Sequence, residues 1–221
     1  MIEFYRAARL QTVDADALLS ALPLGDEPSR GAIDEEYGEA DRALRARYRS
    51  DLPFPVVTAF VTGESRLLYQ LVRRTHARNV MESGVANGHS SFLLLDALRR
   101  NGEGRLTSID IERSAGALVP AESRARWDLH ILPARRRAAA FAAIVASRGT
   151  LDLFLHDSDH SYDWQMHEFR TVWDRLTPNG WLVADDIDWS WAFLDFARKV
   201  GRRPLVLVAE NKVFGLLPRT A

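Results

Sequence analysis

The chain has 221 residues and a formal net charge of −1, enough for one sizeable domain with an appendage and without a global field that would draw nucleic acid or an anionic membrane. It contains no cysteine, which excludes disulfides, zinc–thiolate centres and thiol nucleophiles. No apolar run approaches membrane-spanning length and the first residues carry no signal-peptide pattern, so a soluble, cytoplasmic protein is expected.

Residues 1–55 show helical periodicity without strand alternation. Asp14–Leu22 predicts a short amphipathic helix and Pro23–Gly31 a loop; Asp34–Arg49 predicts a charged helix, stopped by Pro53 and Pro55. This segment is expected to serve as a lid or a dimerisation element, the latter giving a homodimer. Over 56–221 helices and strands alternate, which predicts a parallel sheet covered on both faces. The helix Glu64–His76 feeds a strand over 78–83, and the helix Phe92–Arg100 leads to a strand over 105–110. Asp128–Leu132 is the third strand, Ala138–Arg148 an alanine-rich helix, and Leu151–His156 a nearly all-apolar fourth strand of the kind buried at a sheet centre. Trp164–Leu176 is a helix ended by Thr177-Pro178-Asn179-Gly180, followed by the fifth strand Trp181–Ala184 and the helix Trp191–Val200. Pro204–Ala209 and Val213–Leu217 close the chain across a turn at 210–212, too short for anything but an antiparallel pair. The expected fold is α/β, a Rossmann-like doubly wound seven-stranded sheet with an antiparallel C-terminal hairpin and an N-terminal helical segment.

Three clusters carry chemistry. Glu82-Ser83-Gly84-Val85-Ala86-Asn87-Gly88-His89-Ser90 is a strand–turn–helix in which Gly84 and Gly88 would let the backbone approach a ligand. Asp110 follows about twenty residues later, at the end of the next strand, where such folds hold a ribose hydroxyl. Ala86 stands where a dinucleotide fingerprint places its middle glycine, and Glu82 would repel a diphosphate but attract an ammonium. That combination favours S-adenosylmethionine. The second cluster is His156-Asp157-Ser158-Asp159-His160-Ser161-Tyr162-Asp163, and the third is Asp185-Asp186-Ile187-Asp188. Adjacent parallel strands would bring Asp157, Asp185 and Asp186 to one crevice, an all-oxygen set that suits Mg²⁺ or a similar divalent cation. Helix capping is the alternative for some of these acids, with Ser161 and Asp163 as N-cap candidates. His156 reads as a buried, hydrogen-bonded residue. Arg135-Arg136-Arg137 reads as a solvated loop or helix start, with contact to an anionic substrate as the alternative.

On these motifs, with Thr177-Pro178-Asn179-Gly180-Trp181 leading into Asp185-Asp186, the chain resembles the class I S-adenosylmethionine-dependent methyltransferases from about residue 60 onward. It is similar among them to small-molecule O-methyltransferases of the macrocin and novobiocin type and their cephalosporin-biosynthesis relatives. The resemblance implies that Gly84 and Gly88 meet the methionine end of the cofactor, Glu82 its ammonium, Ser90 its carboxylate and Asp110 its ribose. It implies Mg²⁺ on Asp157, Asp185 and Asp186, and His160 as general base or as an orienting residue. Trp189 and Trp191 would wall the acceptor site or simply pack. One departure stands out: His130-Ile131-Leu132-Pro133-Ala134-Arg135 holds no acid for the adenine amino group. The expected activity is O-methylation of a small hydroxylated metabolite. The rivals are a nicotinamide-dependent oxidoreductase, a metal-dependent hydrolase, and a non-catalytic S-adenosylmethionine-binding module.

Overall fold

A computed structural model describes residues 12–13, 15–22, 28–55, 62–209 and 212–220. In chain order the elements are β1 (Thr12–Val13), α1 (Ala15–Ala21), α2 (Arg30–Arg45), α3 (Thr62–Arg74), β2 (Asn79–Ser83), α4 (His89–Arg100), β3 (Arg105–Asp110) and β4 (Trp127–Ile131). They continue with α5 (Arg137–Ser147), β5 (Leu151–His156), α6 (Tyr162–Trp173), β6 (Leu176–Ala184), α7 (Ala192–Lys199), β7 (Leu205–Ala209) and β8 (Lys212–Pro218). Residues 23–27 of the expected first loop and 210–211 of the expected final turn lie outside the described residues.

The strands form one sheet in the order β1-β7-β8-β6-β5-β2-β3-β4. The seven expected strands are all present, and the two-residue β1 adds an eighth at the edge, parallel to β7. Every pairing is parallel except those of β8, which runs against both β6 and β7. The order reverses at β2, which lies between β3 and β5. In open α/β sheets a crevice opens at such a reversal, beyond the carboxyl ends of the strands.

The alternating faces of the strands feed two cores. Val80, Leu106, Leu153, Leu155 and Val183 face α3 and α4, whereas Met81, Ile109, Phe154 and Leu182 face α5, α6 and α7. The helices of the first 55 residues join the first core: Leu18, Leu19, Ile33 and Leu44 are each at most 1% exposed and pack in the same cluster as Leu67 and Leu94. Burying a leucine side chain stabilises by about 2 kcal/mol, so this segment is held by core packing. Arg66 reinforces it with contacts of 2.6 Å to Asp34 and 2.8 Å to Asp16. No described helix is long and apolar enough to cross a membrane.

Element ends differ from expectation where backbone chemistry is local. α2 starts at Arg30 because the Ser29 hydroxyl caps it, accepting from the Ala32 N–H at 3.3 Å. β6 starts at Leu176 instead of Trp181. Leu151 pairs with Leu176 and Leu153 with Trp181, so residues 177–180 bulge out, with Pro178 unable to donate to the ladder. At the start of α6, Ser161 takes the N-cap position but its side chain makes no capping bond. Asp159 does the local work instead, accepting from the Ser161 N–H at 3.0 Å, and Asp163 falls inside the first turn.

Candidate functional site

A cavity of about 660 Å³ opens at the carboxyl edge of β2, β3, β5 and β6, where the strand order reverses. Sites that take cofactor- or drug-sized ligands occupy roughly 300–1,000 Å³. Of the anticipated residues, Gly84, Asp110, Asp157, His160, Asp186 and Trp189 line it. Glu82, Gly88, Ser90, Asp185 and Trp191 are not in its wall.

The β2–α4 loop forms one side. Gly84 has φ +90°, and a Cβ built there would lie 1.7 Å from the Asp157 carbonyl oxygen, so only glycine lets the loop cross the end of β5. Asp110 holds the same loop from β3: one oxygen accepts from the N–H groups of Val85 at 2.8 Å and Ala86 at 3.1 Å. Its other oxygen accepts from Ile111 at 2.7 Å and Glu112 at 2.8 Å. Glu82 points into the core behind this loop and is fully buried. Its carboxylate accepts from Ser90 at 2.8 Å, from Ser108 at 2.6 Å and from Ser91. Burial pushes its pKa up to about 7, against the three serines that favour the ionised form.

The helical segment reaches the loop as well. The Asn87 side chain grips the Phe54 backbone both ways, accepting its N–H at 3.1 Å and donating to its carbonyl at 2.7 Å. This places Phe54 in the cavity wall. His89 is fixed from both sides, with the Tyr48 hydroxyl 2.7 Å from Nδ1 and the Ser65 hydroxyl 3.0 Å from Nε2. Burial lowers its pKa to about 4, so the ring is neutral.

On the opposite side the acids converge as expected, but with a lysine among them. Lys212, the first residue of β8, places Nζ 2.5 Å from Asp185 Oδ2 and 3.6 Å from Asp186 Oδ2. Asp185 is fully buried; Asp157, whose side chain remains 23% exposed, faces the cavity. Burial and then the Asp185 charge push Asp157 well above the usual carboxylate range. Asp185 is also raised, by burial, with Lys212 opposing. For Lys212, burial acts to lower the pKa, but the Asp185 carboxylate outweighs it and the ammonium is retained. Asp186 has φ +47°, a strained conformation stabilised by donation of its N–H to Asp185 Oδ1 at 2.8 Å.

The divalent cation anticipated on Asp157, Asp185 and Asp186 does not fit this arrangement. Among the described residues no group of three or more acids or histidines could hold a metal ion, and the Lys212 ammonium already sits against two of the three carboxylates.

His160 lies in the same wall, Nε2 3.9 Å from Asp157 Oδ1, with that nitrogen buried and without a hydrogen-bond partner. Burial, then neighbouring His156, lowers its pKa to about 4, so its ring is neutral. Its ring centroid lies 5.7 Å from that of Trp189, which is 73% exposed. His156 is buried as anticipated, with Nδ1 2.6 Å from Glu168 Oε2.

Lys212, Phe54 and Glu112 line the cavity without having been singled out for it, and so does Arg137 of the basic run. Arg135 and Arg136 are exposed, as a solvated run should be, but Arg137 turns inward at the start of α5. It donates to Asp159 at 2.7 Å and lies 4.2 Å over the Trp164 ring. Burial would raise Asp159, but the Ser161 N–H and the Arg137 guanidinium hold it down to about 2.

A reversed strand order, a glycine turn held by the acid of the neighbouring strand, and an antiparallel last strand define the class I S-adenosylmethionine-dependent methyltransferase fold. Residues 81–187, just under half of the chain, match a family described as a methyltransferase domain. Among solved structures the chain is similar to an O-methyltransferase from Streptomyces achromogenes involved in tomaymycin synthesis, in complex with S-adenosylmethionine. That pair shares 22% identity at a TM-score of 0.58, over 93% of this chain and 96% of the other. An O-methyltransferase from Bacillus cereus bound to S-adenosylhomocysteine aligns at 14% identity and TM-score 0.59, over 92% and 96% of the two chains. A methyltransferase from Podospora anserina, also bound to S-adenosylhomocysteine, aligns at 14% identity and TM-score 0.56, over 84% and 86%. No curated protein sequence matches the chain.

Proposed function

We propose that the protein transfers the methyl group of S-adenosylmethionine to a hydroxyl of a small metabolite. The observation that carries this reading is that the glycine turn and the Asp157–His160–Lys212 cluster open onto one cavity of about 660 Å³. A donor on the turn would therefore face an acceptor oxygen on the cluster.

On the donor side, the backbone of Gly84–Ala86 takes the methionine end. Gly88, Ser90 and Glu82 shape that turn from behind, since their side of the loop faces the core. Asp110, with Glu112 beside it, offers the acidic wall for the ribose. Ile109, Ile111 and Leu132 form an apolar slot for adenine, in place of an acid after β4. Bound there, the cofactor supplies a methyl group already activated on a sulfonium, so the protein's task is alignment and proton removal. As the acceptor oxygen bonds to the methyl carbon, the carbon–sulfur bond breaks and its electron pair stays on sulfur. The hydroxyl proton passes to the His160 imidazole, which lines the cavity and is neutral. Trp189 flanks the acceptor, and the segment ending at Phe54 serves as a lid over the turn.

The rival readings lose support at particular residues. A nicotinamide cofactor would want a glycine at Ala86 and a phosphate cradle. A metal-dependent hydrolase would want its cation where Lys212 stands. The test is calorimetric titration with S-adenosylmethionine, followed by release of S-adenosylhomocysteine across a panel of phenolic, sugar and polyketide hydroxyls. Binding with acceptor-dependent release supports the proposal. Absence of binding refutes it, and binding without release from any acceptor favours a non-catalytic module.

A further inference from the structure

We infer that the Lys212 ammonium is the resident cation of the acidic cluster, standing where a divalent metal would bridge Asp157, Asp185 and Asp186, so that the site works without metal. Its catalytic meaning rests on the methyltransferase reading above, but the cation chemistry does not.

Topology explains how a lysine gets there. The parallel strands all end at the cavity edge, and only a strand running the other way can begin there. β8 is antiparallel to β6, with Ala184 opposite Gly215, so its first residue emerges beside the acids that follow β6. Pairing continues past the strand end, the Ile187 N–H donating to the Val213 carbonyl at 3.0 Å, and this fixes the Asp185–Asp186 loop against Lys212. Nζ is therefore held at 2.5 Å from one carboxylate and 3.6 Å from the next.

The chemistry of the residue matches the role. In this arginine-rich chain only Lys199 and Lys212 are lysine. An ammonium is a compact point charge with three rotatable donors, able to stand in for a spherical ion, whereas a planar guanidinium is not. Carboxylates brought together at one edge need a positive charge beside them, and here Lys212 supplies it, in contact with Asp185 and 3.6 Å from Asp186. A divalent ion entering would meet the ammonium at contact distance. Lys212 also lines the cavity, so its charge stands close enough to an acceptor oxygen to favour the anionic form, as a bound metal would.

Mn²⁺ binding, read from the paramagnetic resonance signal of the free ion, tests this without any acceptor. The parent protein should show no saturable Mn²⁺ binding up to about 1 mM. Lys212→Ala should bind one Mn²⁺ at least tenfold more tightly than the parent, and adding Asp185→Asn should abolish that gain. Lys212→Met, which keeps the volume, replaces the alanine variant if circular dichroism shows that one unfolded. Saturable binding by the parent that Asp185→Asn removes would overturn the inference. So would a folded Lys212→Ala or Lys212→Met that gains no site. S-adenosylmethionine calorimetry in EDTA on the same parent sample tests the methyltransferase reading separately, so either can fail alone.

Discussion

Glu82 offers a stability measurement that needs no substrate. It is fully buried, and its pKa rises from an ordinary 4.5 to about 7. The folded state therefore binds its proton more tightly than the unfolded chain. The stabilisation is fully present below about pH 4.5 and is lost as pH rises through about 7. At about 1.4 kcal/mol per pH unit, the interval from 4.5 to about 7 corresponds to about 3 kcal/mol. Glu82→Gln keeps the shape and a neutral amide for Ser90, Ser91 and Ser108 to bond, so it should match the parent at pH 5. Urea unfolding at half-unit steps from pH 5 to 8 would follow both proteins. The parent should lose about 2.5 kcal/mol more than Glu82→Gln over that range, the first part of the effect being already lost by pH 5, and be the less stable of the two at pH 8. Asp157 and Asp185 titrate in both proteins, so the difference isolates Glu82. Parallel curves would show that the serines stabilise the carboxylate as well as water does, and the burial reasoning would fall.

Gly84→Ala should cost at least about 3 kcal/mol and abolish S-adenosylmethionine binding, because its Cβ would sit 1.7 Å from the Asp157 carbonyl oxygen at φ +90°; a calorimetric titration and a melting curve check both. Asn87→Ala removes both bonds to the Phe54 backbone, and hydrogen exchange at the Phe54 amide should accelerate roughly tenfold while the centre of β5 stays protected. Arg137→Ala should raise the pKa of Asp159 from about 2 back toward the ordinary carboxylate range, visible by NMR titration, and cost about 1 kcal/mol of stability. Asp157→Ala should reduce turnover by at least about a hundredfold while leaving S-adenosylmethionine affinity within a few-fold, separating the acceptor side of the cavity from the donor side.

Much of this molecule could be read from its sequence because the informative signals are local. Runs such as Leu151–His156 declare a buried strand, and acids that follow strand ends, such as Asp157 and Asp186, must arrive at the carboxyl edge whatever the details of packing. Glu82 shows the limit of that rule. It is the penultimate residue of β2, and side chains along a strand alternate between faces, so it points with Val80 toward α4 and its serines while the next residue points toward α6. An acid at a strand end reaches the crevice only when it follows the strand or closes it as Asp110 does. Arg137 was hidden by its neighbours: three arginines read as one solvated run, and only the left-handed turn at Arg136, φ +60°, sends the third inward.

Lys212 was hidden by distance. Its partner Asp185 lies 27 residues earlier in the chain, and nothing between them announces the contact until the direction of β8 is known. Yet the antiparallel hairpin was itself expected from the short final turn. Taken one step further, it implies that the residue opening the last strand must lie at the same edge as the acids that follow β6. A lysine at that position in a chain built almost wholly on arginine is then a signal: the fold has brought a compact cation to three carboxylates that electrostatics would not leave uncompensated. The same strand reversal that distinguishes this sheet from an all-parallel one thus determines which charge occupies the centre of the site.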